Sequence, residues 1–281
     1  MKILFYPGCT LTQKAKNFYD TAVAGFKELG IELEELKNWY CCQADFSLVT
    51  DNLMAMLAAS RNLVSARKEA AELAVSCSTC YNVLKRTNHL LKNDDAKRKA
   101  ITDFLEEKYD GSLKVLHLLE ILRDNVGFEN LAKKVKNSLA GLKIAPYYGC
   151  LLLRPDDEMQ FDNPENPAIF EDFIHALGAE AVDYAHKSEC CGSYLLIPSR
   201  DVVVARADKI LSNAIDKGAN LVITSCPLCQ FNLDWTQELI KKQKGSFPTI
   251  PVFYFTELLA YALGLIKDFD KERHFVPPII R

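Results

Sequence analysis

A basic excess is missing from this chain. Its 281 residues carry 34 Lys and Arg against 37 Asp and Glu, for a formal net charge of −3. No basic face therefore marks a nucleic-acid footprint. Long apolar runs are missing too. The longest, Pro251 to Ile266, is interrupted by Glu257 and falls short of the roughly 20 residues that a spanning helix needs. The opening, Met1 to Cys9, has one Lys and an apolar run broken by Pro7, whereas a secretory signal needs a longer apolar core and a small-residue cleavage site. A cytoplasmic chain with no membrane span is the expectation. There is no Gly-x-Gly-x-x-Gly or Walker-type loop, so no nucleotide or flavin is expected on this chain. The compact cysteine run of an ordinary ferredoxin is also absent.

Cysteine is what the chain has in quantity. Ten thiols sit in a sequence whose 49% hydrophobic content is that of a globular protein. Cytosolic proteins rarely keep structural disulfides, so this many thiols points to metal or redox work. The plain alternative is scattered buried cysteines acting as small hydrophobes. Their spacing argues against it. Cys9, Cys41, Cys42, Cys77 and Cys80 read C-x31-CC-x34-C-x2-C. Cys150, Cys190, Cys191, Cys226 and Cys229 read C-x39-CC-x34-C-x2-C. The flanks repeat as well. Lys2 to Cys9 matches Lys143 to Cys150, Leu73 to Cys80 matches Val222 to Cys229, and Leu113 to Glu120 matches Ile250 to Glu257. The chain is a tandem duplication, 1–140 and 141–281, with the boundary near Leu139 to Gly141. A repeat of that length is a domain and not a solenoid unit.

Ile3 to Tyr6 and Ile144 to Tyr148 read as buried strands ending in Gly-Cys. Ala15 to Leu29 reads as a helix stopped by Gly30, Ile31 to Leu36 as the next strand, and Asn52 to Glu72 as a long helix. Leu73 to Ser76 and Leu221 to Ser225 read as strands that deliver Cys-x-x-Cys at their C-terminal ends. Val115 to Leu118 and Val252 to Phe255 read as last strands, each followed by a helix. This alternation predicts two α/β units with mainly parallel sheets. Sites on such sheets gather at the carboxyl ends of the strands, where these cysteines converge. The second half is longer at Arg154 to Pro167, read as either a functional loop or a variable insertion. Lys92 to Lys99 reads as a solvated helix face or loop.

Thiolates favour zinc and iron–sulfur clusters. Zinc takes four ligands at most and would leave one thiol idle in each half. Five thiols suit a multi-iron group better, with the vicinal pairs serving neighbouring irons. Thioredoxin-like exchange needs one exposed Cys-x-x-Cys and leaves the vicinal pairs, Cys9 and Cys150 unexplained. Zinc in one half and thiol redox chemistry remain open on spacing alone.

The doubled five-cysteine pattern, with Tyr148-Gly-Cys150, Arg154-Pro155, Asn163-Pro-Glu-Asn-Pro167 and Lys187-x-x-Cys190-Cys-Gly192, resembles the cysteine-rich CCG domain family. Within it, the tandem arrangement is similar to the B subunits of heterodisulfide reductases. The resemblance covers essentially the whole chain. It implies two pseudo-symmetric Rossmann-like domains, each holding one noncubane 4Fe–4S cluster. By position, Cys9, Cys41, Cys42, Cys77 and Cys80 would hold the first, and Cys150, Cys190, Cys191, Cys226 and Cys229 the second. It implies reduction of the mixed disulfide of coenzyme M and coenzyme B between the clusters, one electron coming from each. It also implies two partners in the same complex, an iron–sulfur protein (the C subunit) and a flavin-bearing protein (the A subunit). The competing expectation is a CCG electron-transfer subunit of a sulfur-oxidising, succinate/quinone or lactate system.

The two halves differ in one respect: Gly192 follows the second vicinal pair, whereas Gln43 follows the first. Gln avoids φ > 0 more than Gly does, so a differently shaped first site is expected. Arg154 and Lys187 are candidate anion-binding residues for a sulfonate or phosphate substrate, with surface or supporting roles as the alternative. His186 is a candidate proton relay or hydrogen-bond donor. His117 is read as structural, Tyr6, Tyr147 and Tyr148 as packing, and His89, His175 and His274 carry no signal. The helix after Val252 has spacing that suits either a membrane surface or core packing.

Overall fold

The computed structural model describes residues 1–44 and 53–280, and over these residues the repeat in sequence is a repeat in space. The first half runs β1 (Lys2–Tyr6), α1 (Lys16–Glu28), β2 (Glu32–Glu35), α2 (Leu57–Glu69), β3 (Glu72–Val75), α3 (Ser78–Asn93), α4 (Asp95–Leu105), β4 (Lys114–His117), α5 (Leu118–Ile121) and α6 (Phe128–Ala132). The second runs β5 (Lys143–Tyr147), α7 (Asp156–Met159), α8 (Ile169–Ala176), β6 (Glu180–Ala181), α9 (Arg200–Asp216), β7 (Leu221–Thr224), α10 (Pro227–Lys244), β8 (Val252–Tyr254) and α11 (Phe255–Ala262). Each half forms a four-stranded sheet, in the orders β2-β1-β3-β4 and β6-β5-β7-β8. Every pairing is parallel.

The inner strands are apolar on both faces, as helix-covered parallel strands must be. Residues 3–6 of β1 and all of β7 are buried. The edge strand β2 reads Glu-Leu-Glu-Glu and stays largely exposed, and its charges discourage further pairing. Strand order reverses between β1 and β3, and between β5 and β7. The crevice of a doubly wound sheet lies at that reversal, and Cys9, Cys77, Cys150 and Cys226 follow those four strands.

The expected α/β class with two parallel sheets is the class observed, and the details depart in three places. In the stretch read as a helix from Asn52 to Glu72, Asn52 lies outside the described residues. The described part is a tight turn at Leu53–Met56 followed by α2, and Ala70 is already extended. The counterpart of β2 shrinks to two residues, β6, a strand too short to show a period in sequence. The 92–99 segment is a break between two helices, where the Asp94 side chain accepts from the Lys97 N–H and starts α4.

One apolar core spans the two halves. Helix α11 packs on α1, and the Phe18 ring stacks on Tyr254 at 4.4 Å. The apolar face of α11 is therefore used inside the protein, with Phe255, Leu258, Leu259 and Ala262 buried. The 154–167 segment is a clamp between halves. Its Glu158 pairs with Arg86 of α3 at 2.7 Å, and Asn82 donates to the Leu151 and Arg154 carbonyls at 2.8 and 2.9 Å.

A buried polar knot ties the C-terminal segment to this interface. Glu257 accepts from the Tyr254 N–H at 2.9 Å, from Asn17 of α1 at 2.9 Å and from His274 Nε2 at 3.1 Å. Asp234 accepts from the Phe275 and Val276 N–H groups at 2.8 and 2.9 Å. Burial alone would lower the His274 pKa, but the Glu257 hydrogen bond and the Glu257 and Asp234 charges outweigh it, and the net shift is upward. A histidine raised on folding stabilises fully below its unfolded pKa, and that stabilisation is lost as pH rises through the higher folded value. The thermal midpoint is therefore expected to fall as pH is raised above 6.5, the histidine reference value. His274→Gln should remove that slope, as measured by thermal melts across pH.

Candidate metal centre

The ten thiols meet at the carboxyl ends of the two sheets. Cys77 and Cys226 cap the N-termini of α3 and α10, and Cys80 and Cys229 lie in the first turns. Pro227 sits at the first helical position of α10, where its missing N–H costs nothing. A helix N-terminus carries partial positive charge and favours thiolate. The Pro-Gly-Cys9 and Tyr-Gly-Cys150 turns deliver the first cysteine of each set. Gly8 and Gly149 stand at φ +73° and +65°, and an added Cβ would come within 3.0 Å of Cys80 Sγ or 3.3 Å of Cys229 Sγ. Both the backbone sign and the approaching sulfur call for glycine there.

The vicinal pairs are anchored alike. The hydroxyl of Tyr6, ending β1, donates to the Tyr40 carbonyl at 2.8 Å, and that of Tyr147, ending β5, donates to the Glu189 carbonyl at 2.7 Å. Each accepting residue immediately precedes a vicinal pair. These tyrosines thus orient the loops as well as packing.

Sulfurs pair in the same way in both halves. Cys9 lies 3.5 Å from Cys41 and Cys42 3.3 Å from Cys80. Cys191 lies 3.5 Å from Cys229, and Cys150 neighbours Cys190. The fourth cysteines stand at the seam between the halves, where Ser78 Oγ lies 2.7 Å from Ser225 Oγ and Thr79 Oγ1 3.4 Å from Cys226 Sγ. None of the ten forms a disulfide; such a bond is about 2.05 Å long. The last three cysteines of each set are buried and the first two are more open. A narrow gap of about 10 Å³ lies among the second-half cysteines, lined on one side by Ser78 and Thr79 of the first half.

Crowding divides the thiols into donors and acceptors. Cys190 falls to about 6, chiefly because Cys150 donates to it, with the Gly192 N–H and the Arg206 charge assisting. Cys42 falls to about 7, chiefly through Cys80. Cys80 and Cys229 move upward, chiefly through their close contacts with Cys42 and Cys191. Ionising all five in one site therefore requires cationic charge among them. Among the described residues, no three His, Cys, Asp or Glu side chains converge as the ligands of a single ion. Paired sulfurs with no nitrogen or oxygen ligand between them suit a polynuclear iron–sulfur group, whose irons divide the thiolates.

Gln43 adopts the left-handed backbone in spite of its side chain, at φ +70° against +79° for Gly192. Its N–H reaches Cys41 Sγ at 3.4 Å, as that of Gly192 reaches Cys190 Sγ at 3.3 Å. The turn is shared through this residue and then diverges, Ala44 standing at φ +57° where Ser193 opens a tight helical turn; the Gln43 side chain is carried at a strain of roughly 1 kcal/mol.

The other candidates have partners within the chain. Lys187 is buried, its ammonium 2.7 Å from Glu171 and 3.7 Å from Asp183, while its carbonyl accepts from the Tyr148 and Gly149 N–H groups. Arg154 reaches the Ser188 and Pro164 carbonyls and Glu165. His186 pairs with Glu189 at 2.7 Å. Tyr148 bonds Glu171. His117 is fully buried and joins Ser76 to the start of α5.

The cysteine-rich domain model (CCG) matches residues 3–85 and again residues 144–234. The chain belongs to the CCG cysteine-rich domain family. Among its relatives is the 8-methylmenaquinol:fumarate reductase membrane anchor subunit of Wolinella succinogenes, 36% identical over 93% of this chain and 92% of that one. The B subunit of the ferredoxin/F(420)H(2)-dependent CoB-CoM heterodisulfide reductase of Methanosarcina acetivorans is 28% identical over 95% of this chain and 91% of that one. A protein of Archaeoglobus profundus that is like the heterodisulfide reductase B subunit is 28% identical over 97% and 93%. In fold, a hypothetical protein from Helicobacter pylori superposes with a TM-score of 0.76 at 12% identity, covering 100% of this chain and 53% of that one.

Three residues beside the CCG cysteines carry no motif: Thr79, Asn232 and Tyr194. Tyr194 spans the halves, its hydroxyl bonding the Ala44 carbonyl. Aligning the halves on their cysteines would have found the first two, because their counterparts Leu228 and Val83 are apolar. Gln43→Gly is expected to raise stability by about 1 kcal/mol, and Gly192→Gln to lower it by at least as much. Urea denaturation of the two variants checks both.

Proposed function

We propose that this chain is the iron–sulfur subunit of an oxidoreductase complex, its ten cysteines holding two noncubane 4Fe–4S clusters that act as one two-electron unit on a disulfide. The mixed disulfide of coenzyme M and coenzyme B is the substrate favoured by the heterodisulfide reductase relatives. The observation that carries this is the meeting of the two cysteine sets at the seam, where Thr79, two residues after Cys77, brings its hydroxyl within 3.4 Å of Cys226 Sγ. When bound, each cluster would supply one electron, and a disulfide consumes two. The chain's own part is to bind and orient. The N-termini of α3 and α10 stabilise thiolate, Tyr6 and Tyr147 hold the vicinal loops, and Tyr194 closes the second loop against the first half. Lys187 and Arg154 brace the segments around Cys150 and Cys190, and a substrate anion would have to share their charges with Glu171 and Glu165. Electrons would arrive through an iron–sulfur partner and, beyond it, a flavin-bearing one.

The 36% identical fumarate reductase relative favours a second reading, in which the same paired sites relay electrons between a quinol and a flavin protein. Among the described residues no helix is long and apolar enough to cross a membrane, so contact with quinone would come through a surface or a partner.

Metal analysis and turnover separate these readings. Anaerobically purified protein should contain about eight irons with matching sulfide per chain, two four-iron clusters' worth. It should also oxidise a reduced dye in the presence of the mixed disulfide. Zinc in either half overturns the cluster assignment. Full iron with no disulfide turnover, together with cluster reduction by a menaquinol analogue, establishes the relay reading in its place.

A further inference from the structure

We propose that Thr79 and Asn232 are positioning residues that raise the reduction potential of the second cysteine site, and that Thr79 does this from the first half of the chain. The inference rests on the iron–sulfur reading above.

Thr79 lies in the first turn of α3, two residues after Cys77. Its Oγ1 is 3.4 Å from Sγ of Cys226, a cysteine of the opposite set. Asn232 lies in α10, three residues after Cys229. Its Nδ2 is 3.6 Å from Cys191 Sγ and 3.5 Å from the Cys191 carbonyl. Both side chains are sealed from water, at 2% and 1% exposure. A ligating sulfur carries no proton, so hydroxyl and amide are the donors. Such a bond draws electron density from the sulfur and stabilises the more negative, reduced state. Hydrogen bonds to the sulfurs are one of the levers that set cluster potentials.

Among the described residues the first site has no counterpart of these two bonds; its buried hydroxyl, that of Tyr6, faces Cys42 but is committed to the Tyr40 carbonyl at 2.8 Å. At the same offsets from its cysteines, Leu228 stands for Thr79 and Val83 for Asn232, and neither carries a polar hydrogen. The donors of the first site are of other kinds. Thr10 is 3.9 Å from Cys9 on the exposed side, and the Ala44 N–H points at Cys42 at 3.4 Å. The backbone bonds of Gln43 and Gly192 are present at both sites and do not distinguish them. The duplication thus keeps ten ligands alike while giving the second site two buried side-chain donors. One of them crosses the seam, so the first half adjusts the site in the second.

The test is a redox titration of the anaerobically loaded chain, followed by electron paramagnetic resonance. Wild type should show two separable potentials. A tenfold change in the equilibrium between the oxidised and reduced site corresponds to about 59 mV for a one-electron couple. Thr79→Val should lower one potential by about that amount and leave the other in place. Thr79→Ser should restore it. Asn232→Leu should lower the same potential, since Asn232 touches only a second-half cysteine. Unmoved potentials, a shift shared by both sites, or two variants that move different potentials would each overturn the inference. If Thr79→Val fails to load iron, Asn232→Leu and Thr79→Ser decide. Iron and sulfide are measured on every sample. Wild type without iron would refute the cluster reading itself, whereas full iron with unmoved potentials refutes only the role of Thr79 and Asn232.

Discussion

Crowded sulfur is the constraint on which the rest of this structure depends. Five thiols per half are gathered at the ends of parallel strands, and three of each five are cut off from water. Buried like charges cannot accumulate without compensation, and two helix N-termini supply only a fraction of it. The pairing of the thiols is what the bare polypeptide does with that demand: Cys42 and Cys190 ionise more readily at the expense of Cys80 and Cys150. Positive charge placed among the sulfurs relieves all five at once. The features that make the site awkward without such charge are burial and close approach of the sulfurs.

The second consequence is geometric. A parallel sheet exposes its site-bearing edge in one direction, so two such sheets share a site only by turning those edges toward each other. The chain does this with a core that runs through both halves, α11 on α1, and the 154–167 clamp on α3. The interface is built from interior-quality contacts, with stacked rings of Phe18 and Tyr254 and a buried Asn17–Glu257 bond. Hinged domains meet through more polar and less continuous surfaces. The two cysteine sets are therefore held at fixed separation.

Much of this was legible in the amino-acid sequence, because duplication writes its own alignment. The strand, Gly-Cys and Cys-x-x-Cys segments recur with apolar runs that only a buried parallel strand satisfies, and the ten ligand candidates followed from spacing. What was hidden lies where information is not periodic. His274 stands in a C-terminal stretch without pattern, yet it is buried against Glu257 and Asp234, and nothing in its neighbours announces that. Lys187 and Arg154 look like free cations in sequence, but their partners Glu171 and Glu165 are brought to them by the fold. The 154–167 segment could not be told from a surface insertion until Glu158 met Arg86 across the seam. Gln43 was expected to shape its loop differently: it takes the left-handed region as Gly192 does, and the two loops part at the next residue, where Ala44 is left-handed as well.

The places where the two halves disagree are linked to one another, and that linkage is physical. At the seam the Ser78 N–H donates to the Ser225 carbonyl at 3.1 Å. A strict twofold would demand the mirror bond, from residue 227 to the Ser76 carbonyl, but Pro227 has no N–H to give. The Ser76 carbonyl is buried and needs a donor, and His117 Nε2 provides it at 2.8 Å. That role requires a neutral ring with the proton on Nε2, leaving Nδ1 to accept from the Leu119 N–H at 3.2 Å. Burial pushes the His117 pKa down to about 3, which keeps it so. On the other side the Ser225 carbonyl is already satisfied by Ser78, so the counterpart of His117 is released from the task, and Tyr254 stands there with its hydroxyl turned to Gln230. Proline at 227 thus obliges histidine at 117, and serine at 78 permits tyrosine at 254. Once such a pair of exchanges is in place the halves are no longer interchangeable, and further differences beside the cysteines, Thr79 against Leu228 among them, can give each site its own chemistry while the ligands stay the same.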